Sequence, residues 1–354
     1  SLAWLLPRDT DTVLQRPVAS LKPVVAIRPV MTAAAFDAIT FAVAANLSSR
    51  LGASPEVRVT SPEAVSALNL SGTTSTQIMA TLQSDALIEL QPVRHDEDGY
   101  RATVRLLMAG GLPLTLAPVG PAPDLDALAD ALASALAPRL RLDPEALHAA
   151  PRPPGSRGND EALEHYARGL RQIATESAAG IAQACASFKS ATDADPKFAA
   201  GYARWAQCLL TQYRFGELDP PLAFEYARNA VSLALLHEPD NPDALAALAD
   251  LTAEEQHDWV RAEGEFHEAL ARDSSNVFAR SRYAMLLAGR GRTSEALEQM
   301  NEALRSAPMS TALKGYLAMG LHYNGRDEEA LALFEQLRSI DTSLESALVG
   351  QCRI

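Results

Sequence analysis

A small–large–small face recurs five times in the second half of this 354-residue chain, always at helical spacing. Its clearest copy lies within Asp258–Leu270, where Ala262 is followed by Phe266 four residues on and by Ala269 three further. The others are Ala184/Phe188/Ala191, Ala227/Val231/Ala234, Ala296/Met300/Ala303 and Ala330/Phe334/Leu337. Residues three and four apart share one side of a helix, so each copy presents a bulky knob between smaller neighbours. The knob inserts into an adjacent helix, and the alanines let the two backbones approach. Successive copies start 43, 35, 34 and 34 residues apart. That interval holds one further helix and two turns. A pair of helices cannot bury such a face alone, so each unit must stack on the next.

A period near 34 with two helices per unit is the signature of a tetratricopeptide array. The units pair helices around Glu161–Ile173 and Ala179–Asp193, then a helix carrying Tyr202, Trp205, Ala206 and Leu209 with its partner, and so on to the C-terminus. The longest interval places extra residues in Arg214–Pro221, an insertion among short turns and therefore a second candidate for function. Gly289-Arg290-Gly291-Arg292 and Asn324-Gly325-Arg326 are the compact turns of the last two pairs. Pro196, Pro239 and Pro308 recur at unit ends, with Ser274 and Thr342 in the same place elsewhere; Ser343–Ile354 reads as a capping helix.

The first half follows other periods. Val24–Val30 is a β-branched run suited to a buried strand. Phe36, Ile39, Val43, Leu47 and Leu51 then form one helical stripe, with Gly52 expected as its C-cap. Val57–Thr60 is a short strand, Ser61-Pro62-Glu63 a helix start, and Ser75–Leu82 a short helix. From Ala86 the period becomes two: Ala86–Val93 and Tyr100–Leu107 flank the polar turn Asp96–Gly99 as a hairpin. Leu112–Leu116 adds a strand that Pro113 confines to a sheet edge. Leu125, Leu128, Leu132 and Leu136 line a closing helix. The expected architecture is a small α/β layer domain followed by an all-α superhelix, a right-handed solenoid of helical hairpins. Its divisions are a tail at 1–21, the α/β domain at 22–143, a proline-rich linker at 144–159 and the array at 160–354, with two separate cores allowed by the length.

A net charge of −13 argues against a nucleic-acid surface, because phosphate contacts need clustered Lys and Arg. No apolar run is long enough to span a bilayer. The opening Ser1–Leu6 before Pro7-Arg8 reads either as the end of a membrane helix with Trp4 at the interface or as an apolar tail. Three cysteines allow at most one bridge. Cys185 and Cys208 lie at equal distances from the turn at Pro196-Lys197, which brings them level on antiparallel helices. They form either a disulfide or two core thiols lying side by side.

His257-Asp258-Trp259, with Ala262-Glu263, Phe266 and Ala269-Leu270 behind it, resembles a phrase common in the tetratricopeptide regions that follow a TolB-like domain. Val24–Val30, the stripe on the next helix and Val57–Val59 stand in the order that domain has, although its usual phenylalanine after the proline, and the Asn that follows, are absent. The resemblance covers about residues 22 to 350. It implies the sensory region of a membrane-anchored bacterial regulator of the ToxR/CadC type, periplasmic and held to the inner membrane by an upstream helix. The output would be a winged-helix DNA-binding domain, or in some relatives an adenylate cyclase or a kinase. The alternative is a free periplasmic or cytoplasmic scaffold.

Catalytic signatures are missing: no phosphate-binding glycine loop, nucleophile elbow or zinc helix occurs, so no enzyme, cofactor or metal is expected. Asp96-Glu97-Asp98 reads as a solvated turn rather than a cation site. His257 and His267 are too poorly placed to share a ligand, and read as packing or surface residues with a pH-sensing role as the alternative. The remaining candidate is the inner wall of the superhelix. Aligned on the repeat, its positions include Arg204, Gln207, Asp250, Arg280, Arg282 and Lys314. A mixed, partly basic trough in an acidic protein suits a carboxylate or an extended peptide. The expected partner is thus a protein or peptide, or a small-molecule signal, with no nucleic acid on this stretch and a homodimer as an open alternative.

Overall fold

All five small–large–small faces are shut away from water. Phe188 and Phe266 are fully enclosed, and their flanking alanines Ala184, Ala191, Ala262 and Ala269 are equally inaccessible. Ala227/Val231/Ala234, Ala296/Met300/Ala303 and Ala330/Phe334/Leu337 are buried in the same way. The computed structural model describes residues 22–30, 38–52, 54, 56–60, 62, 65, 73–143, 147, 158–308 and 310–340. The expected tail, most of the linker, most of the Ser61–Leu68 helix, Thr342 and the capping helix lie outside them.

Among the described residues of the second half, ten helices form five hairpins. They are α4 (Asp160–Ile173) with α5 (Ala178–Ala194), and α6 (Ala199–Arg214) with α7 (Pro220–His237). Next come α8 (Pro242–Glu255) with α9 (Trp259–Arg272), α10 (Val277–Gly289) with α11 (Thr293–Ser306), and α12 (Thr311–Tyr323) with α13 (Asp327–Ile340). Each hairpin packs on the next, α5 on α6, α7 on α8, α9 on α10 and α11 on α12. Local chemistry sets the boundaries. Asn159, Asn241, Asn276 and Ser310 begin first helices by accepting from the backbone N–H three residues on, which satisfies donors that a helix start leaves orphaned. Pro220 and Pro242 occupy first positions, where proline's missing N–H costs nothing. Gly291 and Gly325 turn the chain between paired helices at φ 74° and 71°, a conformation glycine adopts without strain.

Before the array lies a five-stranded sheet in the order β2-β1-β3-β6-β7. Its strands are β1 (Val24–Pro29), β2 (Arg58–Thr60), β3 (Ala86–Leu90), β6 (Val104–Met108) and β7 (Leu114–Thr115). β1 runs parallel to β2 and β3, while β3–β6 and β6–β7 are antiparallel. Helices α1 (Ala38–Gly52) and α3 (Leu125–Leu140) cover one face; α2 (Ser75–Leu82) covers the other with Val65. Val25 and Ile27 therefore point into one cluster and Ala26 into the other, which is why the run is apolar at every position. The buried Arg50 on α1 meets Asp126 of α3 at 2.9 Å. Glu89, buried on β3, is held by Arg28, Arg105 and Ser75.

Three expectations are corrected. The hairpin from Ala86 to Leu107 is interrupted: its base is β3–β6, whereas its tip, β4 (Arg94–Asp96) and β5 (Gly99–Ala102), joins β8 (Val119–Ala122) in a separate three-stranded sheet. The first helix does end at Gly52, but as its last helical residue and not as a left-handed cap, and an added Cβ there would sit 3.2 Å from Ser275 Oγ in the array. Finally, the apolar interior does not divide in two. Phe41, Leu47 and Leu51 of α1 share one continuous cluster with Ala162, Tyr166 and Leu170 of α4. The α1 helix thus covers the apolar side that the first hairpin would otherwise expose. Among the described residues no helix is long and apolar enough to cross a membrane.

Candidate functional site

First helices touch in succession, α6 to α8, α8 to α10 and α10 to α12, and together make the inner wall of the array. Two charge clusters bridge its gaps. At one level Asp243 accepts from Gln207 Nε2 at 3.2 Å and from Asn276 Nδ2 at 2.9 Å, with Arg204 Nε 3.2 Å away. The Gln207 amide also donates to the Asp243 carbonyl at 2.9 Å, so this buried side chain is consumed in joining α6 to α8. Deeper along the same helices, Asp250 receives Arg214 Nη1 and Arg282 Nε, each at 2.8 Å, and Arg282 Nη2 reaches Glu254 at 2.8 Å.

Burial opposes ionisation of Asp250, but the two guanidiniums outweigh it and hold its carboxyl below the usual range. Burial also works against the charge of Arg282, and Asp250 and Glu254 more than restore it. For Arg214 the balance falls the other way: burial and then repulsion from Arg282 lower its pKa despite Asp250. Three ions packed this closely are cross-braces between repeats.

The six expected positions therefore separate. Arg204, Gln207, Asp250 and Arg282 spend their polar groups on each other's helices. Arg280 turns aside, donating to the Ser274 carbonyl at 2.8 Å and to Gln299 of α11 at 2.7 Å. Lys314, on α12, is half-buried, and among the described residues its ammonium has no hydrogen bond or ion pair. Burial pushes that ammonium below the ordinary lysine range, and the more distant Glu176 acts in the opposite direction. Sequence alignment on the repeat missed Arg214, Asp243, Glu254 and Glu176. The first was assigned to the inserted turn, and no periodic signal marks the others.

Other expectations are placed as follows. Cys185 of α5 and Cys208 of α6 are joined as a disulfide with their Cα atoms 5.5 Å apart, linking the first hairpin to the second. Phe215 projects into solvent from the inserted turn, above an edge-on contact of Tyr213 with Phe224. His257 and His267 are not brought together: His257 Nδ1 lies 3.4 Å from the Ala253 carbonyl, and His267 Nε2 lies 2.9 Å from Tyr283 Oη. Arg101 spans Asp96 and Asp98 at the hairpin tip. Among the described residues no group of three His, Cys, Asp or Glu side chains is arranged to hold a metal ion.

No family model matches the chain, and no curated protein does. Similar solved structures include two described as TPR proteins. One is YrrB, described as a TPR protein with an unusual peptide-binding site, at 18% identity and a TM-score of 0.33, covering 55% of this chain and 93% of that one. Another is TTC0263, a thermophilic TPR protein in Thermus thermophilus, at 22% identity and a TM-score of 0.37, covering 46% and 82%. A human IFIT1 dimer with m7Gppp-AAAA matches at 19% identity and a TM-score of 0.46; this chain covers 46% of its length, with 54% of this chain aligned. The array is a tetratricopeptide fold. That statement rests on the chain's own five nested hairpins.

Proposed function

We propose that this chain is a protein-interaction module whose inner wall takes an acidic, extended segment of a partner at the α12 end. The carrying observation is Lys314, the one member of the expected trough whose charge is not spent on a neighbouring helix. A half-buried ammonium that makes no direct ion pair among the described residues favours the arrival of a carboxylate, since pairing recovers part of the burial cost. The test is fluorescence anisotropy with a fluorescein-labelled peptide of alternating Glu and Ala. Saturable binding that weakens about tenfold or more in Lys314→Glu, and persists in the outer-surface variant Arg261→Glu, supports the reading. Equal binding by both variants removes Lys314 and the trough from it.

The finer part of the proposal is a sensory region controlling a membrane-anchored transcription regulator. Two things support it: the resemblance to TolB-like domains followed by tetratricopeptides, and the Cys185–Cys208 bond, which suits an oxidising compartment such as the periplasm. The coding sequence upstream of Ser1 tests this part. A membrane helix preceded by a winged-helix domain supports control of transcription, and the absence of both leaves a scaffold.

A further inference from the structure

The turn between α4 and α5 carries Glu176 in a left-handed backbone conformation, at φ 51°. Non-glycine residues seldom hold that geometry without a compensating contact. The compensation lies 135 residues away. Glu176 Oε2 accepts from the backbone N–H of Thr311 at 2.8 Å and of Ala312 at 2.9 Å, and from Thr311 Oγ1 at 2.5 Å. Its Oε1 accepts from Ser310 Oγ. One carboxylate thus satisfies the start of α12, where orphaned donors and the helix dipole both favour a negative charge. Lys314, one turn further on, adds its own attraction.

This contact joins the first hairpin directly to the fifth, although three hairpins intervene along the chain. The array has curled until its two ends meet. A second closure runs beside it. Helix α1 packs on α4 while β2 touches α11, and Gly52 abuts Ser275, so the α/β layer spans from the first hairpin to the fourth. The Glu176 closure differs in kind from the joints between successive hairpins. Those joints are apolar clusters, whereas no hydrophobic cluster connects α4 or α5 with α12 or α13 among the described residues. The end-to-end contact is polar and half-exposed, able to open without tearing a core.

We infer that Glu176 is a clasp that holds the array in a closed curl, and that its release lets the fifth hairpin swing away from the first. The clasp sets access to the inner wall irrespective of what that wall binds, and it does not depend on the peptide reading above.

The test is a distance measured by pulsed electron paramagnetic resonance between spin labels at Ala179→Cys on α5 and Glu328→Cys on α13, two exposed positions, in a Cys352→Ser background. Cys185 and Cys208 are bonded to each other and take no label. With Glu176 present, a single narrow distribution is expected. Glu176→Ala and Glu176→Lys should each broaden it and move it to longer distance, with helix content by circular dichroism unchanged. An unaltered distribution in both variants overturns the clasp. So does an unaltered distribution accompanied by faster amide exchange at Thr311 and Ala312 alone, because Glu176 would then be only a local cap of α12.

Discussion

Arg282 Nε meets Asp250 Oδ1 and Arg214 Nη1 meets Asp250 Oδ2, each at 2.8 Å, and so they tie the second, third and fourth hairpins together through one buried charge. In a solenoid each repeat contacts only its neighbours, and its curvature is the sum of small interface geometries. A three-residue brace across two consecutive interfaces restricts that curvature where the repeat itself does not.

Removing the central ion should therefore cost more than removing a surface pair. Asp250→Ala leaves the buried Arg214 guanidinium without its carboxylate and Arg282 with Glu254 alone, and a loss of about 3–5 kcal/mol in urea unfolding is expected. Asp250 has a depressed folded pKa, so its contribution is present above the unfolded carboxyl value of about 3.9 and is lost as pH falls through the folded value.

Asp273 should show the opposite sign. Burial raises its carboxyl, nearby Asp243 adds to the effect, and the Ser275 hydrogen bonds only partly offset it. The native state holds this proton more tightly than the unfolded chain does. Stability from this group is full below about pH 3.9 and is lost as pH rises through the higher folded value. Asp273→Asn should accordingly be more stable than the native protein at pH 7 and lose that advantage at about pH 3.5, as read by thermal melts at the two pH values.

Two helical glycines should respond to alanine in opposite directions. Gly264 on α9 has nothing within 4 Å of an added Cβ. Gly264→Ala should therefore stabilise by about 0.5–1 kcal/mol. Gly169 on α4 faces the Phe188 ring, whose nearest atom would be 2.6 Å from the new carbon. Gly169→Ala should destabilise by about 1–3 kcal/mol through overpacking. Chemical denaturation of both variants decides the matter.

Reduction should loosen the first interface. The Cys185–Cys208 bond closes a loop with a sequence separation of 23 residues. Its loss should cost about 2–4 kcal/mol, seen as a lower denaturation midpoint with dithiothreitol. The same shift is expected for the Cys185→Ala/Cys208→Ala protein without reductant, and reductant should then add nothing.

The hairpins were legible because their information is local. Ala262, Phe266 and Ala269 need only the helical period to share a face, and Asn276 and Ser310 need only the next three residues to start a helix. The β1 run was equally plain, since a strand covered on both faces is apolar throughout. Gly52 was misread for the reason that makes glycine ambiguous. The same residue serves a left-handed cap or a close approach by another segment, and only Ser275, more than two hundred positions later, separates the two. Within the trough the alignment found four cross-bracing side chains and Lys314, but not which charges were already spent.

The chain by itself determines the unit: a period near 34, two helices, a knob between small residues, and an α/β layer placed ahead of them. Those features depend on spacings of a few residues, which sequence displays directly. Only the tertiary structure decides how tightly the units curl, that Glu176 meets α12, and that Lys314 makes no ion pair among the described residues. Each of these depends on small rotations accumulated over several interfaces, and no stretch of sequence records that total.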